Sequence, residues 1–198
     1  MKLVQLWKNG PLWADRNLGA DKPESLGLFF TWGSTKGFPM EPKGETKSPF
    51  DDMDRQLLQE KGVLEGIHLS RKYDAASCML GNPFRMPTGS ELKNLIEKCD
   101  WKYVSDSKEN SPCYYVVTGK GEYSGNSIIL PRPKFDDIFY WSATSGTNPD
   151  DARAMSHLWS YANNISSGNH SRNHAMMIRP VVTCNPEQTA VKGRISAK

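Results

Sequence analysis

Cysteine is scarce in this chain of 198 residues: Cys78, Cys99, Cys113 and Cys184 lie 21, 14 and 71 positions apart, with no C-x-x-C. That spacing excludes a zinc ribbon and asks for no disulfide framework. Cys78 and Cys99 fall among apolar helical positions and are expected to be buried thiols. Long apolar runs are missing too. The opening MKLVQLWKNGPLW carries one early lysine but no stretch fit for a signal peptide, and nothing afterwards is long enough to cross a bilayer. From this start the chain is expected to be made and assembled inside a cell, or to have lost a leader. Charge of one sign is also lacking. The net charge is +3; residues 1–100 balance at 14 basic against 14 acidic, and the remainder holds 11 against 8. This is too little for a nucleic-acid footprint.

Catalytic signatures are equally thin. G-x-S-x-G, the P-loop, H-E-x-x-H and G-x-G-x-x-G do not occur, and Gly119-Lys120-Gly121 lacks a third glycine. His170 and His174 stand four apart, a spacing that would align two metal ligands on a helix. The preceding Ser166-Ser167-Gly168-Asn169 is poor helix material, so no metal is expected there. Asp136-Asp137 and Asp150-Asp151 read as solvated surface, although Asn148-Pro149-Asp150 has oxygens suited to calcium. No nucleophile–base pair stands out. No cofactor and no enzymatic activity are expected.

What is present is aromatic weight (six Trp, seven Tyr and seven Phe) together with 13 Pro and 16 Gly. Large rings and frequent turns describe a loop-rich globule of short elements. Lys2 to Trp7 alternates as a strand and stops at Asn9-Gly10-Pro11. Leu12-Trp13-Ala14 and Leu28-Phe29-Phe30-Thr31-Trp32-Gly33 read as core. Residues 34–50 read as a loop, 51–62 as a short surface helix, and Tyr73 to Leu80 as a helix closed by Gly81-Asn82-Pro83. Thr88 with Glu91 forms a capping box ahead of Leu92, Leu95, Ile96 and Cys99, predicting an amphipathic helix over 89–99. Strands follow at Tyr114–Thr118 and Ser127–Leu130. Segregated strands and helices predict an α+β fold with an antiparallel sheet. One domain over 1–184 and a C-terminal extension over 185–198 are expected.

The chain is organised around 139–181. Phe139-Tyr140-Trp141 opens this stretch and Met176-Met177-Ile178 closes it, and between them lie seven Ser, five Asn and three of the four His. Apolar anchors around a polar insert fit two core strands supporting a recognition surface; they also fit a long solvated connection. The alternation of His157, Trp159 and Tyr161 favours the first.

In order along the chain, Trp13-Ala14-Asp15-Arg16-Asn17-Leu18-Gly19-Ala20, Phe30-Thr31-Trp32-Gly33, Tyr73-Asp74-Ala75-Ala76, Arg85-Met86-Pro87-Thr88, Asn126-Ser127-Ile128-Ile129-Leu130-Pro131, Tyr140-Trp141-Ser142-Ala143-Thr144 and Ile178-Arg179-Pro180-Val181 resemble the Fibrobacter major paralogous (FISUMP) domain. The resemblance covers about residues 1–183. It implies a C-type-lectin-like fold: small antiparallel sheets, two helices and a long loop-rich C-terminal display surface, as in phage receptor-binding proteins and the targets of diversity-generating retroelements. On that pattern Ser156, His157, Trp159, Asn164, Ser166, Asn169, His170, Asn173 and His174 match the ligand-facing sites, and Trp141 and Leu158 the buried ones. The implied function is a non-enzymatic binding module recognising a cell-surface glycan or protein. It would be carried on a phage virion beside other virion proteins, with homo-oligomers expected. A secreted or surface-bound bacterial adhesin and a purely structural virion component are the alternatives. Two departures limit what carries over. Only Cys184 stands near the end where the enzyme branch of the fold keeps a cysteine pair, and the calcium motifs of animal lectins are missing apart from Asn148-Pro149-Asp150. Neither nucleic-acid binding nor membrane insertion is implied.

Overall fold

A computed structural model describes residues 1–39, 42–105, 113–133, 138–157 and 165–183. The architecture is α+β, with three helices and mostly small sheets among the described residues. No described helix is long and apolar enough to cross a membrane.

Three short strands, β1 (Leu3–Gln5), β2 (Leu12–Ala14) and β3 (Phe29–Phe30), come first, followed by α1 (Arg55–Glu60). The strand pair β4 (Leu64–Glu65) and β5 (His68–Leu69) precedes α2 (Ala75–Leu80), β6 (Phe84–Arg85) and α3 (Gly89–Lys98). A three-stranded antiparallel sheet then forms from β7 (Cys99–Val104), β8 (Cys113–Gly119) and β9 (Ser127–Arg132). The last third supplies β10 (Ile138–Ser145), β11 (Asp151–His157), β12 (Ile165–Ser171), β13 (Met176–Met177) and β14 (Val181–Val182). β14 returns to pair with β2 and β6, tying the end of the described chain to its start.

Helix starts follow their caps. Thr88 accepts from the Glu91 N–H while the Glu91 carboxylate accepts from the Thr88 N–H, completing the capping box. Asp74 caps α2 through Ser77 N–H and reaches on to Met86 N–H, so one buried carboxylate fixes both a helix start and the strand after it. Burial pushes this carboxyl up from its ordinary value, against the lowering effect of those N–H groups. α2 differs from expectation in one respect. Its buried face is Ala75, Ala76 and Ser77, which leaves Cys78 exposed rather than buried; six residues cannot present a second apolar turn. Cys99 is buried as expected, but it begins β7 rather than ending α3.

The central sheet runs β12-β11-β10-β13-β3, antiparallel except for the parallel β10–β13 pair. The expected loop-rich insert is largely regular. β11 and β12 pair without a bulge from Asp151↔Ser171 to His157↔Ile165. Strand alternation sorts their side chains into two faces. Trp141, Ala152 and Ala154 pack with Phe30, Trp32 and Met176 on one face. Tyr140 and Met155 pack on the other, with Leu92 and Leu95 of α3. A polar Ser/Gly/Asn/His strand is thereby held in place by pairing and by the core beneath its neighbours, not by its own propensity.

Candidate functional site

β12 is the edge of the central sheet, and the face it shares with Phe139 opens onto a cavity of about 430 Å³. Phe139 on β10, Ala175 and Met176 provide apolar floor and wall. His170 from β12 and His174 from the following turn provide two imidazoles. A strap through Pro42, Gly44 and Thr46 closes the remaining side. The Phe139 and His170 rings meet at 75° with centroids 5.5 Å apart, an edge-to-face contact that orients the imidazole. Half-burial pulls His170 below the ordinary imidazole value; the nearby His174 adds to that lowering, and Asp151 opposes it.

Two residues that follow β12 hold this arrangement. Arg172 is 1% exposed, and among the described residues it has no hydrogen-bonded carboxylate. Its Nε donates to Asp151 O at 3.1 Å, its Nη1 to Phe50 O and Met53 O at 3.2 and 2.6 Å, and its guanidinium lies 5.0 Å from the Trp32 ring centre. Asn173 anchors the strap. Its Oδ1 accepts from Ser48 N–H at 2.7 Å, its carbonyl accepts from the Thr46 hydroxyl, and its Nδ2 donates to Asp51 at 3.0 Å. The turn that presents His174 is therefore pinned from below by a buried cation and from the side by an amide.

The nine sequence-predicted residues separate accordingly. His170 and His174 come together at the cavity. Asn173 sits between them in sequence but turns its amide to the strap, so it positions the site rather than facing it. Ser166 is exposed on the same strand face as His170, two residues before Gly168; Ser156 pairs with it from β11 and is buried, 5% exposed. Asn169 lies on the opposite face, where it accepts from Arg153 at 3.3 Å and donates to the Thr147 hydroxyl. The backbone of His157 closes β11 opposite Ile165. Trp159 and Asn164 lie outside the described residues, as do Leu158, Tyr161, Cys184, the pair Asp136-Asp137 and the extension over 185–198. Phe139, Met176 and the strap carry no site signal in the sequence. Phe139 reads there as a plain core anchor, and nothing local connects residues 42–46 with 170–174.

Asp150 meets Asp51 and Asp52, with one oxygen from each within 4.8 Å of the others. Asn148 donates to Asp151 at 2.8 Å, and Asp51 already serves Asn173 and Lys47. Exposed acidic groups of this kind are common without an ion.

Comparison of the chain with family models, with curated proteins and with solved structures finds no match.

Proposed function

We propose that this chain is a non-enzymatic ligand-binding module of the C-type-lectin-like kind, and that its ligand contacts the cavity at Phe139, His170 and His174 and the adjoining exposed edge at Ser166. The observation that carries this reading is the cavity itself. Its size falls within the roughly 300–1,000 Å³ of small-ligand clefts, and a regular sheet and a fully buried arginine hold its walls. Preorganised walls lower the ordering cost of binding. Among the described residues, neither His170 nor His174 has a hydroxyl, thiol or carboxylate hydrogen-bonded to its ring, which supports recognition over nucleophilic chemistry. The ligand class in this reading is a bacterial cell-surface glycan or protein, and the setting a phage particle, where the module attaches the virion to its host. The phage setting rests on the resemblance of the ordered motifs.

The test is binding of the labelled protein to candidate host cells and to a glycan array, with Phe139→Ala and His174→Ala beside the parent and folding checked by circular dichroism. Folded variants that bind several-fold more weakly support the reading. Folded variants that bind like the parent remove the cavity from contention.

A further inference from the structure

We infer that the cavity accepts a six-membered ring bearing one negative charge, with the ring on Phe139 and Met176 and the charge between His170 and His174. This rests on the reading of the cavity as the ligand site and names the chemistry it selects.

The floor is apolar, so a flat or chair-shaped ring gains by displacing water from Phe139, Met176 and Ala175. The polar groups are few and one-sided. The Thr46 hydroxyl already donates its hydrogen to the Asn173 carbonyl, leaving only its lone pairs. The two imidazoles are the remaining hydrogen-bonding side chains of the lining, and no carboxylate is among the described lining residues. His170 and His174 both line the cavity, and charge on His174 opposes charge on His170. An anion placed between them relieves that repulsion and accepts from both rings. A neutral group gains the hydrogen bonds without the charge relief, and an ammonium can use only the acceptor nitrogen of a neutral ring, which protonation removes. The surroundings carry both signs, so the two imidazoles decide the charge preference. The Phe139 ring from β10 meets His170, and the charges that act on His170 are those of His174 from the turn and Asp151 from β11. The strap adds exposed Lys43, Glu45 and Lys47, of which Lys47 is paired with Asp51 at 3.2 Å.

Binding is consequently linked to protonation. Burial and His174 hold His170 below the ordinary imidazole value, and a bound anion favours its charged form, so binding takes up a proton and tightens as pH falls.

Two ring acids separate the possible sources of this chemistry: benzoate for an aromatic carboxylate and glucuronate for an acidic sugar. Benzamide and methyl glucoside are the neutral counterparts. Titration of the full chain, followed by calorimetry and by the histidine ring proton signals, is run at about pH 7.5 and about pH 5.5. At least one acid is expected to bind in the millimolar range at the higher pH and about tenfold more tightly at the lower, near the effect of one added proton. The His170 and His174 signals should shift with it, while its neutral counterpart binds more weakly and without pH dependence. His174→Asn, an exposed position, should reduce the pH dependence and His170→Asn with it should abolish it, while Phe139→Leu should weaken both pH conditions alike. Equal binding of acid and neutral counterpart overturns the charge assignment, and no binding of either acid overturns the inference. Cell binding that depends on Phe139 while neither ring acid binds would leave the recognition reading standing and discard this ligand class alone.

Discussion

Trp32 and Trp141 are joined reciprocally: the Trp141 indole donates to Phe30 O at 2.8 Å, and the Trp32 indole donates to Ser142 O at 3.0 Å. Each ring thus bonds the chain segment that carries the other, across the narrow β13 that separates β3 from β10 in the sheet. Both are fully buried. The pair locks an early segment of the chain to a late one and, through the Trp32–Arg172 contact, reaches the turn that carries His174. The scaffold and the candidate site are therefore one packed unit.

Trp141→Ala removes a fully buried ring and leaves Phe30 O without its donor. The transfer and cavity terms predict a loss of about 3–5 kcal/mol. Asn169→Ala, on the polar strand, gives up hydrogen bonds to Arg153 and Thr147 that water can replace, and should cost about 0.5 kcal/mol. Urea denaturation of the two variants compares them directly. Comparable losses would contradict a core-borne fold that displays β12.

Arg172→Ala strips donors from Asp151 O, Phe50 O and Met53 O together. Buried acceptors left unpaired predict a cost of about 3 kcal/mol or more. Arg172→Lys keeps the charge but loses the planar fork that serves several carbonyls and stacks on Trp32, so it should recover only part of the stability. A Lys variant as stable as the parent would show that charge alone matters at this position.

Local signals were the legible part of the sequence. The Thr88/Glu91 box and the apolar spacing behind it place α3 to within a residue, because the cap is written in the residues it uses. Trp13, Phe30, Trp32 and Trp141 were legible as core from size alone. β7 was hidden because it starts where the helix pattern stops, its Trp101 and Tyr103 alternating with Asp100 and Lys102. β11 and β12 were hidden for a different reason. Ser, Gly, Asn and His have little strand preference, and their order comes from pairing with β10. The cavity itself depends on contacts between residues 42–46 and 170–176, more than a hundred positions apart, and no local pattern encodes such a meeting. A single Asn illustrates the limit: Asn173 belongs by composition to the display residues, yet its amide is spent on Ser48 and Asp51.

Thr88→Ala deletes the oxygen that accepts from Glu91 N–H and should cost about 1 kcal/mol. Glu91 also forms a two-point contact with Arg85, Nη2 to Oε1 at 2.6 Å and Nη1 to Oε2 at 2.7 Å. Glu91→Gln should weaken this contact while keeping an acceptor for Thr88 N–H, so the two substitutions act through different bonds. Thermal denaturation of the pair and of the double variant reads both losses, and less-than-additive costs are expected because the residues share one cap. A neutral Thr88→Ala would place the stabilisation of α3 elsewhere.

Acidification should destabilise the fold through two histidines well before the carboxylates respond. His68 is partly buried, its Nδ1 2.9 Å from the Thr144 hydroxyl, and burial lowers its pKa from the ordinary 6.5, with Glu91 opposing and Arg85 assisting. His170 is lowered by burial and by His174. A histidine whose folded pKa is depressed binds its proton less readily than in the unfolded chain. Below 6.5 the unfolded state therefore takes up protons that the folded state resists, and stability is lost as pH falls from that value through the folded pKa of each ring. Asp15 and Asp51 have depressed carboxyls, Asp15 chiefly through Arg16 and Asp51 chiefly through Asn173, and their loss begins only near 3.8 and below. Asp74, raised by burial, acts in the opposite sense above 3.8 and offsets part of the decline at the acid end. The melting temperature should accordingly drop between about pH 7 and about pH 5, and His68→Asn combined with His170→Asn should flatten that drop while leaving the steeper carboxylate limb in place. A double variant that keeps the parent's slope in this window would assign the acid sensitivity to other groups.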